Sequence, residues 1–118
     1  MRILPKISGQ ARRLRIYIGE SDKYKGTPLY HAIVLKAKEL GLAGATVFRG
    51  VEGFGANSRI HSARILDISS DLPILIDIVD SIEYINLLLP FLDEVVKEGL
   101  ITIEDVEIIK YTNNKNKK

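Results

Sequence analysis

GATVFRGVEGFGANSRIHSARILDISSDLPILIDIVDS, residues 44–81, opens on one strand pattern and closes on another. From Gly44 to Val51 the chain alternates, with Ala45, Val47, Arg49 and Val51 set against Thr46, Phe48 and Gly50. Leu72 to Asp80 is apolar on both faces: Ile74, Ile76 and Ile78 lie on one, Leu75 and Val79 on the other. That pattern predicts a strand in the middle of a sheet. Adjacent strands in a small domain are usually joined by about two to five residues. The connection here is several times longer, and ordering it costs about 1–2 kcal/mol per residue in backbone entropy. Connections of that length are functional or mobile, so residues 56–70 are expected to be the least ordered internal segment. Part of it, Ile60 to Ile68, alternates as a ribbon arm would, until Ser69, Ser70 and Asp71 break the pattern.

On the N-terminal side, RRLRIYIGE (residues 12–20) alternates cleanly. Leu14, Ile16 and Ile18 face one way, Arg13, Arg15 and Tyr17 the other, as in a half-buried strand. A polar connection, Glu20 to Gly26, leads to Thr27 and Pro28, read as a capping hydroxyl followed by proline at the first helical position. Leu29, Ile33, Ala37 and Leu40 then recur at helical spacing until Gly41 stops the run. On the C-terminal side Ser81, with Glu83 nearby, starts a second helix. Its stripe runs through Ile82, Ile85, Leu88, Leu89, Leu92, Val95 and Val96, with Pro90 expected to kink it and Gly99 to end it. Leu100 to Tyr111 supplies the last strand.

Strand, helix, strand, strand, helix, strand is the order of a ferredoxin-like βαββαβ sandwich. The fold class is therefore α+β: an antiparallel sheet with two helices on one face. The other face would carry Tyr17, Phe48, Leu75 or Val79, and Tyr111, a set large enough to call for a partner. Closed homo-oligomerisation is the simplest source of one.

Composition narrows the function classes. The 118 residues, 46% hydrophobic and 27% charged, fit one soluble domain over residues 1–111, followed by a polar basic tail, 112–118, expected to be disordered. There is no cysteine, hence neither a disulfide nor a thiolate metal site. No apolar run is long enough for a signal peptide or a membrane span, which points to the cytoplasm. Setting aside Lys115, Lys117 and Lys118 leaves 14 basic against 15 acidic residues, a near-neutral body that does not suit nucleic acid. Arg12, Arg13 and Arg15 read as solvated charges guarding a strand edge. Glu104, Asp105 and Glu107 read the same way.

The best candidate site is the glycine cluster Gly50, Gly53 and Gly55. Glycines let backbone amides approach an anion and adopt the positive dihedrals of an anion-binding nest. Arg49 enters this turn and Arg59 and Arg64 leave it, offering planar, charged hydrogen bonds to a phosphate. Phe54 offers a stacking surface and His61 a phosphate or ribose contact. His31, on the first helix, reads as a surface histidine. Two histidines 30 positions apart, without ordered carboxylates, predict no metal site. The serines lack an orienting base, and Glu52 and Asp67 lack the fixed short separation of a catalytic pair, so no catalytic constellation is visible.

Three separated motifs, YKGTPLYHAIVLKAKELGLAGATVFRGVEGFG, DLPILIDIVDS and LPFLDEVVKEGLIT, resemble the family called domain of unknown function 190. The resemblance runs from about Arg13 to Tyr111, and the family looks like a relative of the PII-type signalling proteins. It implies a PII-like homotrimer with sheets facing the threefold axis. It further implies a small anionic ligand, an adenine nucleotide, in clefts between subunits, and a long loop presented to a partner such as a membrane transporter. No cofactor is required on this reading, and the bound nucleotide would be AMP or ADP. The chain departs from PII proteins at Lys97–Leu100, where one glycine replaces a glycine-rich phosphate cradle, and in YTNNKNKK, where the basic closing segment is not recognisable. The short Lys97–Leu100 connection implies fewer phosphates than ATP. The alternatives are an enzyme acting on a small molecule at the subunit cleft and a trimeric scaffold without ligand.

Overall fold

Leu14, Ile16 and Ile18 are buried while Tyr17 between them is exposed, so the period of two in the sequence becomes a sheet with one covered face. The computed structural model describes residues 9–55, 61–62 and 71–112. Its elements, in chain order, are β1 (Gly9–Gly19), β2 (Lys23–Tyr24), β3 (Thr27–Pro28), α1 (Leu29–Glu39) and β4 (Thr46–Arg49). There follow β5 (Glu52–Gly53), β6 (His61–Ser62), β7 (Pro73–Asp80), α2 (Ile82–Val95) and β8 (Leu100–Ile108). Residues 112–118 lie outside the described residues except Thr112, and so does most of the expected ribbon arm.

Four strands form the main sheet in the order β4-β7-β1-β8, every neighbouring pair antiparallel. This is the ferredoxin-like arrangement, α+β, in which each helix is a crossover. Strand β7, apolar on both faces, lies inside the sheet between β4 and β1 as its composition requires. Leu14, Ile16, Ile74, Ile76 and Ile78 meet Ile33 and Ala37 of α1 and Ile85, Leu88 and Leu92 of α2 in one buried cluster.

Local chemistry sets the helix ends. The chain leaves α1 through Leu40 into Gly41, whose φ of 89° is open to glycine. Gly41 N–H donates to the Lys38 carbonyl and Leu42 N–H to the Ala37 carbonyl, the paired bonds of a Schellman ending. Ser81 caps α2, its hydroxyl accepting from Tyr84 N–H, and the helix runs on through Pro90 to Val95.

Two expectations are corrected. Thr27 is not a helix cap: Pro28 takes that position with an extended backbone (φ −53°, ψ 131°) and no side-chain cap bond. Thr27 and Pro28 instead pair with Tyr24 and Lys23 across a tight turn, Lys25 and Gly26 both having positive φ, so the polar connection is a small ribbon. The arginines of β1 do not guard an edge either, because β1 is an inner strand. Arg12 pairs with Asp105, Arg13 with Asp77 and Arg15 with Glu104. The acidic residues of β8, which is an edge strand, are thus partly the counter-charges of β1.

Candidate functional site

Directly opposed residues in antiparallel strands share a face of the sheet. The register sets Tyr17 between Leu75 and Leu100, and Phe48 opposite Leu75, all on the face without helices. Val79, opposite Arg13, is on the same face. Phe48 and Leu100 are more than half exposed. Tyr17, Phe48, Leu75 and Leu100 therefore gather at one end of the helix-free face, with the Arg13–Asp77 and Arg15–Glu104 pairs behind them and Val79 toward the other end. Tyr111 lies beyond the end of β8, outside the sheet.

At that same end is a cavity of about 320 Å³. Its lining includes Tyr17, Gly99 and Leu100, where Gly99 packs on Tyr17, and Gly53, Phe54, Gly55 and Pro73, where Gly53 packs on Pro73. Phe54 is 68% exposed, its ring free to meet a ligand. Asp22, Asp71 and Glu98 contribute carboxylates. Asp22 accepts a hydrogen bond from Gly19 N–H at 3.0 Å, and Asp71 accepts one from Ser21 N–H at 2.7 Å.

Glycine matters here for close approach. A Cβ on Gly50 would stand 2.7 Å from Cγ of Pro73, and one on Gly53 would stand 3.2 Å from it. A Cβ on Gly99 would meet the Tyr17 carbonyl oxygen at 2.5 Å. The described segment after β4 thus lies flat on the Pro73 ring, and the α2–β8 connection lies flat on the end of β1. Gly50, Gly53 and Gly55 are not among the glycines with positive φ, and Gly50 N–H already donates to the Pro73 carbonyl.

Of the residues singled out in the sequence, Gly53, Phe54 and Gly55 line the cavity and Gly50 packs beside it. Arg49 does not line it. The register sets Arg49 opposite Ile74, on the helix side of the sheet, where its guanidinium pairs with Glu20. Arg59 and Arg64 lie outside the described residues; His61 is described by its backbone alone, opposite Gly53 in the β5–β6 ribbon. His31 is exposed on α1. Tyr17, Asp22, Asp71 and Glu98 also line the cavity and carry no signal of it in the sequence, because only the sheet topology brings them to one end.

Residues 11–108 match the DUF190 family, described as "Uncharacterized ACR". The chain belongs to this family. A UPF0166 protein of Aquifex aeolicus (strain VF5) is 39% identical over 111 residues, covering 92% of this chain and 98% of the relative. The UPF0166 protein MJ1524 of Methanocaldococcus jannaschii is 40% identical over 102 residues, covering 86% and 94%. Among solved structures, this DUF190 chain is similar to a putative PII-like signaling protein from Thermus thermophilus. The TM-score there is 0.61 at 20% identity, with 86% of this chain and 91% of the other covered. It is also similar to CPII, a nitrogen regulatory PII-like protein from Thiomonas intermedia K12 solved with ADP, AMP and bicarbonate. In that case the TM-score is 0.59 at 18% identity, covering 86% and 90%. At these identities the likeness is one of fold, and the fold is PII-like. Among the described residues no helix is long and apolar enough to cross a membrane.

Proposed function

We propose that this DUF190 protein is a PII-like regulatory protein, not an enzyme, that binds an adenine nucleotide, AMP or ADP, as a homotrimer in the cytoplasm. One observation carries the reading: the cavity between Phe54 and Gly99 opens beside the exposed apolar end of the helix-free face. Tyr17 and Leu100 belong to both. A second copy docked on that face would complete the wall of the cavity, which makes it a cleft between subunits. Aromatic and apolar walls with a few convergent polar groups suit a small ligand, and an exposed aromatic ring suits a nucleobase. The occupants of CPII, ADP and AMP, support the same ligand class.

The phosphate end would lie toward the segment that follows β4, with Arg49, Arg59, His61 and Arg64 as its partners. Arg49 would have to leave Glu20 for that role, a modest demand because exposed ion pairs contribute about 0–1 kcal/mol. Residues 56–70 would then be the part presented to a partner protein, such as a membrane transporter.

A thermal-shift series across adenine and guanine nucleotides tests the reading. A ligand at about 100 times its dissociation constant stabilises by roughly 2.7 kcal/mol, an upward shift of several degrees. An unchanged midpoint with every nucleotide at millimolar concentration would contradict it.

A further inference from the structure

The electrostatics of the cavity name the end of the ligand that it takes, an inference that rests on the nucleotide reading above. The described lining includes Asp22, Asp71 and Glu98 and no lysine, arginine or histidine. Ionised carboxylates only accept hydrogen bonds, so they recognise donors and repel phosphate. Helix α2 adds to the same sign. It ends at Val95, three residues before Glu98, and its last turn holds Asp93 and Glu94 with no basic residue. A helix C-terminus carries about half a negative charge, whereas phosphate sites are built at N-termini, where N–H groups point at the anion. Glu98 and the negative end of α2 thus lie beside Gly99, while Asp22 and Asp71 line the cavity at the ends of β1 and β7. Gly53, Phe54 and Gly55 contribute no charge.

We infer that this cavity takes the nucleoside end of the ligand. The ribose hydroxyls and the exocyclic amine of adenine donate to the carboxylates, the ring stacks on Phe54, and the phosphates turn away from Glu98 toward the segment after β4. Glu98 is then a specificity-determining residue: it sets the site against long phosphate chains. Exposed, and outside both α2 and β8, it can be changed without disturbing the core.

Calorimetry at low salt without divalent cations, using adenosine, AMP, ADP and ATP, tests this on the wild type and Glu98→Gln. Each added charge about 6 Å from a carboxylate costs roughly threefold in affinity in water. The wild type is expected to bind adenosine at least as tightly as ATP. Glu98→Gln is expected to raise the ratio of ATP to adenosine affinity roughly threefold, whatever it does to adenosine itself. An affinity that climbs tenfold or more from adenosine to ATP overturns the inference while leaving the nucleotide reading intact, and so does an identical ladder in Glu98→Gln. No heat with any of the four compounds overturns both.

Discussion

Arg13 of β1 reaches Asp77 of β7 across the helix-free face, its Nε lying 3.0 and 3.2 Å from the two carboxylate oxygens and its Nη2 closer still. The contact is bidentate and joins the two inner strands of the sheet. The Arg13 hydrogen bond holds the Asp77 carboxyl below its usual range, against the opposing effect of burial, and the charges of Arg13 and Arg15 add to the lowering.

The sign of the pH dependence follows from that depression. Asp77 contributes stability fully above the ordinary carboxylate value of 3.8 and loses it as pH falls toward its lower folded value. Urea unfolding between pH 6 and pH 2.5 should therefore show a smaller acid loss in Asp77→Asn than in the wild type. Equal losses in the two proteins would contradict the role given to the pair.

Asp80 is fully buried and ties two connections together. Its Oδ2 accepts from Ala43 N–H at 2.8 Å and its Oδ1 from Ser81 N–H at 2.6 Å. Asp80→Ala leaves the Ala43 donor without this partner and should cost about 1–3 kcal/mol in urea unfolding. A change below half a kcal/mol would mean that water replaces the carboxylate.

Gly99→Ala tests the close approach at the cavity. A Cβ there must push back the backbone of β1, since its nearest neighbour is the Tyr17 carbonyl oxygen rather than a flexible side chain. The expected loss is about 1–3 kcal/mol, read as a lowered thermal midpoint. Wild-type stability in this variant would show that the α2–β8 connection can move freely.

The sheet and both helices were legible because their signals are periodic. Ile74, Ile76 and Ile78 announce a strand by themselves, and Ile85, Leu88 and Leu92 a helix. The β2–β3 ribbon was not, because two-residue strands of lysine, tyrosine, threonine and proline have no period to read. Nor was the inner place of β1, since strand order is set by distant partners and arginines suit an edge or a paired interior row equally well. At the site, Gly53, Phe54 and Gly55 stood out by composition. Tyr17, Asp71 and Glu98 did not, being brought together only by the ends of β1, β7 and β8. A glycine cluster in a sequence suggests dihedral freedom, whereas Gly50 and Gly53 have no positive φ and lie against Pro73.

The helix-free face makes its own prediction. Tyr17, Phe48 and Leu100 are at least a third exposed and lie together. A charge placed there, as in Phe48→Glu, should dissociate the proposed trimer without unfolding the protomer, whose core lies on the other face. Light scattering with circular dichroism checks both halves. A wild type that scatters as a monomer at all concentrations would remove the trimer.

Native mass spectrometry of the protein with ADP tests the central claim, a trimer with nucleotide in its clefts, in one spectrum. The account predicts a complex of three chains carrying up to three ADP molecules, with adenosine able to replace ADP. A monomer, or a trimer that takes up no adenine compound, would contradict it.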